Sequence, residues 1–480
     1  MSSNISGVQN EAFDIASDIW HVIGMPSEAL TALSLPGSGL GLPSSFKIGP
    51  FAQATIAVSA LAAATLHAHK IGGPISRVEV PLRHACAEFK SERLYQLDDR
   101  TNEDPWGPIG GLHATSDGFV RIHDAFPHHR AGALKLLGLG MNATRQDVAD
   151  AVKRRKALDL EEEAINNGLV IAALRSTDEW ASLEQAKCLS KYPINIRKIK
   201  SAAPYMPARI SLESKKCLQG VRVLDLSRVI AAPVAGKTLA AHGADVLWVT
   251  SPDLPTLPDL DCDVQRGKRT IQLDLRSAAG KTALLNLAKD ADVLLQGYRP
   301  GSLAALGISQ QILHELNPNL VVANLSAYSP QGPWSSRRGF DSIVQTCSGM
   351  NVSEAQRFGD GSPARPLPCQ ALDHGSGYLL ATGIIAALYK RAINGGSHVL
   401  DGSLAGTMKY LCSLGQWPGK SGFACDDIVK IDDAAEFMET RMTGIGKLTA
   451  MRHSATIEGV DVGWGIMPKP LGSDETRWLT

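Results

Sequence analysis

Long apolar runs are missing from this sequence. The longest, Ile56 to Leu66, is interrupted by Ser59 and Thr65 and runs into His67 and His69, well short of the roughly 20 residues a bilayer-spanning helix needs. Met1 to Phe13 has no basic run ahead of an apolar segment, so neither a secretory nor a transit signal is read there and a cytoplasmic setting is expected. Net charge is also missing: 48 basic residues cancel 48 acidic ones, which removes the electrostatic footprint of a nucleic-acid binder. The eight cysteines are scattered with no CxxC spacing, and the densest histidine group, His113, His123, His128 and His129, has only Asp124 as a partner of ligand type. Reduced thiols and no metal site are expected.

The common nucleotide loops are absent too. No GxxxxGK[ST] and no GxSxG occurs, and the first strong strand runs into "DLSRVIAAP", with Arg228, Val229 and Ile230 where a dinucleotide loop needs glycines. ATPase, elbow-type hydrolase and NAD or FAD readings therefore have no anchor.

What is present is a repeat followed by an α/β pattern. Ala54 to Leu82 reads as an Ala-rich helix leading into "KIGGPISRVEVPL", and Gly375 to Leu404 as an Ala/Leu-rich helix leading into "INGGSHVLDGSL"; in both, a glycine pair ends the helix and releases a short strand. The first copy sits in an α+β region with a hairpin signal at "TSDGFVRIHD" and a capped helix at "STDEWASLEQAK". Ser201 to Ser214 reads as a linker. From Gly220, strands at 221–226, 244–249, 270–275, 292–297 and 320–328 alternate with helices over 232–242 and 278–289. Nearly continuous apolar strands of this kind predict an α/β fold, a Rossmann-like parallel sheet with helices on both faces beside a smaller α+β domain, with ligands at the carboxyl ends of the strands.

Two features point to chemistry. Arg266, Lys268 and Arg269, then Arg276 and Arg299, fall at the expected ligand edge; they suit a cofactor carrying several phosphates or, equally, solvated loops. In "PCQALDHGSGYLLATG", Asp373 precedes a long helix. An Asp there serves as a helix cap, or as a nucleophile held ionised by the helix dipole, with Gly375 and Gly377 leaving room for a ligand and free N–H groups to steady an oxyanion.

The stretch from Gly220 to about Leu411 resembles the class III CoA-transferases, the CaiB/BaiF family that includes formyl-CoA and carnitine-CoA enzymes. The resemblance rests on "GVRVLDLSRVIAAPVAGKTLAAHGADVLWV", "RGKRTIQLDL", "ADVLLQGYRPGSLAALGI", "RRGFDSIVQTCSGM" and "ALDHGSGYLLATGIIAALY". Residues Pro50 to Lys200 resemble the later part of the same fold, so residues 1–214 look like a partial first copy and residues 215–480 like a copy carrying the sheet and Asp373, a layout similar to fungal members. The counterpart of Asp373 in the first copy is Pro50. The resemblance implies that Asp373 forms acyl anhydride and CoA thioester intermediates, with Gly375 and Gly377 beside the reacting carbonyls. It implies CoA contacts at Val229, Leu273, Arg276, Gly297, Tyr298 and Arg299, acyl-CoA as a substrate rather than a resident cofactor, a carboxylic acid acceptor, and a homodimer or a pseudo-dimeric monomer. Short donors such as acetyl-CoA or succinyl-CoA are expected from the family.

Departures accompany it. Thr250-Ser251-Pro252 stands where the family carries a Glu-Arg-Pro-like sequence, Ile230 where formyl-CoA enzymes have Gln, and Ser326 where they have Lys. Racemases of this fold carry a basic His in a Gly-His-Asp sequence, and this chain has Gly339-Phe340-Asp341, which cannot accept a proton there. A racemase and a CoA-binding pseudoenzyme remain the alternative readings.

Overall fold

Seven strands form the central sheet of the computed structural model, which describes residues 11–101, 106–207, 209 and 214–479. In chain order they are β1 (Ile194–Lys200), β2 (Arg222–Leu226), β3 (Asp245–Thr250), β4 (Lys268–Gln272), β5 (Val293–Gln296), β6 (Val321–Ser326) and β7 (Ser397–Ser403). Their spatial order is β4-β3-β2-β5-β6-β7-β1, all parallel except β1, which pairs antiparallel with β7 at the edge. The order reverses between β2 and β5, which opens a crevice at their carboxyl ends.

Alternate strand residues face two cores. Val223, Val246, Leu295 and Ala323 join the large core, whereas Leu224, Leu247, Leu294 and Val322 pack with Leu284, Leu287 and Leu313 of the helices Ala278–Lys289 and Gln310–Leu316. Burial on both faces is why these strands read as continuous apolar runs. The expected parallel α/β sheet is therefore present, and the predicted 278–289 helix is met residue for residue.

Six helices matter for the site: α1 (Ile48–Ile71), α2 (Pro127–Leu136), α3 (Ala231–Ala241), α4 (Asp341–Cys347), α5 (Ala371–Asn394) and α6 (Leu404–Ser413). Helices α1 and α5, the two repeated helices, pack against each other, and α3 packs on α5. Among the described residues α1 is the one helix long and apolar enough to cross a membrane, and its apolar body is buried inside the protein, with His69 and Ile71 exposed at its end. Its alanines let neighbours approach closely on every side, which explains apolarity without an amphipathic stripe.

The N-terminal region supplies a three-stranded sheet, Gly111–Ala114, Phe119–Ile122 and Ile171–Ala173. Its first two strands are the predicted hairpin, closed by the Thr115 N–H donating to Gly118 O at 2.9 Å. Ser176 caps the next helix in a reciprocal pair with Glu179, as the sequence pattern requires. Of the expected linker, residues 208 and 210–213 lie outside the described residues.

One expectation is overturned. Arg266, Lys268 and Arg269 are neither ligand contacts nor solvated loop charges. Lys268 and Arg269 lie within β4, which starts two residues earlier than its apolar pattern suggested. Lys268 pairs with Asp225 at 2.9 Å with both side chains fully buried, Arg269 with Asp245 at 2.9 Å, and Arg266 with Asp263. Periodicity cannot foresee charges buried in pairs, because the partners come from other strands and helices.

Candidate active site

The site is assembled from the carboxyl ends of β2, β3, β5, β6 and β7, as the doubly wound pattern predicts. A cleft of about 690 Å³ is lined by Arg228–Ala232 after β2, Leu254 and Pro255 after β3, Gly297–Pro300 and Ser302 after β5, Leu325–Ala327 at the end of β6, and Leu404 after β7. Arg337–Phe340 and Asp373 complete this side. The opposite wall, Phe126–His129, belongs to the N-terminal region.

The loop after β2 is shaped from beneath. Asp225 accepts the Ser227 hydroxyl, and the Trp248 indole N–H donates to Ser227 O at 2.9 Å. Val229 is thereby held at φ +72°, a conformation costly for a β-branched residue and kept where the surroundings over-determine it. The first turn of α3 consequently faces the cleft, with its dipole favouring negative charge.

Asp373 occupies the first turn of α5 and is 7% exposed. Among the described residues no group hydrogen-bonds its carboxyl oxygens. Beside it, Asp341 Oδ2 accepts the N–H groups of Leu372 (2.8 Å) and Asp373 (3.0 Å), while its Oδ1 accepts the Gln345 amide. Asp341, not Asp373, is therefore the residue that caps α5. Burial, then the Asp341 charge, then that of Glu92 push the Asp373 carboxyl well above the usual carboxylate range. Burial likewise raises Asp341 to about 6 against the hydrogen bonds it accepts. The expectation that the dipole keeps Asp373 ionised is thus reversed: desolvation and like charge outweigh it.

His374 Nε2 lies 2.9 Å from Glu92 Oε2, both side chains buried. Glu92 reaches the site from the first half of the chain, and nothing in its local sequence marks it. Gly375 and Gly377 do not line the cleft. A Cβ on Gly375 would sit 2.3 Å from Phe51 Cε1, and one on Gly377 2.6 Å from Ala231 O; the room they open is filled by α1 and α3.

Of the six expected CoA contacts, Val229, Gly297, Tyr298 and Arg299 converge on the cleft. Leu273 instead packs against the core on the far face of the sheet, and Arg276 is exposed, paired with Asp253 and with Asp274 at 3.0 Å. The cations of the cleft are Arg228, Arg299, Arg337 and Arg338. Arg228 lies 4.9 Å over the Phe126 ring and donates to Pro255 O; Arg337 stacks 3.9 Å over Trp334; Arg338 donates to Gly168 O and contacts His129 Nε2 at 3.2 Å. The "RRGFD" string held four of the cleft-lining residues, Arg337 to Phe340, in plain view, whereas Phe126–His129 offered only part of a histidine cluster that lacked the partners of a metal site. Among the described residues no three metal-ligating side chains are grouped.

An acyl-CoA transferase of Gibberella moniliformis is 32% identical over 282 residues, 55% of this chain and 50% of that protein. A probable fatty acyl-CoA transferase of Mycobacterium tuberculosis is 37% identical over 199 residues, 39% of this chain and 50% of that protein. The chain thus spans about half the length of these curated relatives. The crystal structure of a CAIB/BAIF family protein from Brucella suis is similar at 26% identity over 48% of this chain and 64% of that one, with a TM-score of 0.37. Residues 218–417, which hold six of the seven strands of the central sheet and the Asp373 helix, match the model of CoA-transferase family III.

Proposed function

We propose that the protein is a CoA-transferase of the class III fold that moves CoA from an acyl-CoA donor to a carboxylic acid, with Asp373 as the nucleophile. The observation that carries this reading is the Asp373 carboxyl, unpaired and nearly buried in a cleft bordered by four arginines. A structural cap would have its oxygens occupied; here Asp341 does the capping and Asp373 is left free. A desolvated carboxylate is a stronger nucleophile than a hydrated one, and the arginines and the α3 first turn suit the phosphates of CoA.

The Asp373 carboxylate attacks the donor thioester carbonyl and the C–S bond breaks, giving an aspartyl acyl anhydride and CoA thiolate. The thiolate attacks the Asp373 carbonyl and releases the first carboxylate, leaving an aspartyl-CoA thioester. The acceptor carboxylate displaces the thiolate to form a second anhydride, and the thiolate then attacks the acyl carbonyl of that anhydride, forming the new acyl-CoA and freeing Asp373. Proton exchange at the α carbon finds no base at Phe340, whose ring stacks on His123 at 3.9 Å.

In this reading the first half of the chain takes the place of a partner subunit, because Phe126–His129 and Glu92 complete the site from within. Intact-mass analysis after incubation with acyl-CoAs and hydroxylamine tests it. A hydroxamate or CoA adduct on Asp373, missing from Asp373→Ala, is the expected result. An Asp373→Ala enzyme that still transfers CoA would overturn it.

A further inference from the structure

The surroundings of Asp373 bear on which acyl group it handles, an inference that rests on the proposed transferase reading. Phe340 lines the same cleft as Asp373 and immediately precedes Asp341, whose carboxylate accepts the Asp373 N–H at 3.0 Å. His123 stacks on the Phe340 ring at 3.9 Å and 9°. Phe126 lies 6.2 Å from it and His129 6.1 Å. Burial lowers both histidines to about 3, so all four rings are uncharged near neutral pH. Ile230, Ala231, Ala327 and Leu404 add apolar lining to the same cleft.

The four arginines of the cleft are each engaged by other protein groups: Arg228 lies over the Phe126 ring and donates to Pro255 O, Arg299 donates to Ser336 O at 3.3 Å, Arg337 stacks over Trp334, and Arg338 is engaged by Gly168 and His129. A second carboxylate on the transferred group would have to lose its water against uncharged rings. A flat hydrocarbon gains offset or edge contacts there instead. We propose that the cleft around Asp373 is an acyl chamber for a flat, apolar acyl group, aromatic or conjugated, and that Phe340 sets this preference.

The test is calorimetric titration of the full-length Asp373→Asn protein with cinnamoyl-CoA, acetyl-CoA and succinyl-CoA, repeated on Asp373→Asn/Phe340→Ala. Binding needs no transfer chemistry, so its outcome is separable from that of the adduct experiment. The expected result is cinnamoyl-CoA binding at least tenfold tighter than either other thioester, with the advantage falling to about threefold or less without the Phe340 ring. Succinyl-CoA binding as tightly as cinnamoyl-CoA, or a cinnamoyl advantage that survives Phe340→Ala, would overturn the proposal. Equal affinity for all three thioesters would overturn it as well.

Discussion

Glu92 and His374 are joined at 2.9 Å across the two halves of the chain, with both side chains buried, one residue from the carboxyl proposed to do the chemistry. The contact couples the stability of the interface to the behaviour of Asp373, because the Glu92 charge is among the causes that raise it. Glu92→Gln keeps the shape and removes the charge. We expect a loss of about 1–3 kcal/mol in denaturant unfolding, since His374 loses its charged partner. The rising limb of the transfer rate should also move to lower pH. An unmoved pH profile beside a lost stability would leave Glu92 with a packing role only.

In the proposed reaction Asp373 acts as a carboxylate, so transfer should increase as pH rises through its elevated titration, above the usual carboxylate range. Stability moves the other way. Asp341 and Asp373 bind protons more tightly in the folded protein than in the unfolded chain, where they titrate near 3.8. The native state therefore holds more protons, and stability from these groups falls as pH rises from about 4 through 6 and beyond. Asp373→Asn, which cannot ionise, should be more stable than wild type by about 1–2 kcal/mol at pH 8 and no more stable at pH 4. Urea midpoints across that range would show it.

Gly375 is a packing residue on this structure. Gly375→Ala places a methyl 2.3 Å from a Phe51 ring carbon and should cost about 1–3 kcal/mol. Adding Phe51→Leu makes room, so the double variant should be less destabilised than the sum of the singles by about 1 kcal/mol, read in a double-mutant cycle.

Among the arginines, those lining the cleft should govern CoA affinity. Arg299→Ala is expected to weaken CoA binding by about tenfold, or ~1.4 kcal/mol, while Arg276→Ala, whose guanidinium is taken by Asp253 and Asp274, should change it less than threefold. Calorimetric titration with free CoA separates the two.

The sequence by itself determined the parallel sheet, the repeated helix-to-strand unit, the loops that carry the site and the position of Asp373. Each of these is written in local periodicity or in a contiguous string, as in Val223 to Leu226 or "ALDHGSG". Tertiary structure alone decided the rest. The burial of Lys268 with Asp225 and the capping of α5 by Asp341 both pair groups from separate elements. So do the approach of Glu92 to His374 and the placing of Phe126 and His129 over Phe340. The raised titration of Asp373 belongs with them, because a carboxyl's affinity for its proton is set by the water it loses and the charges that the fold brings near it.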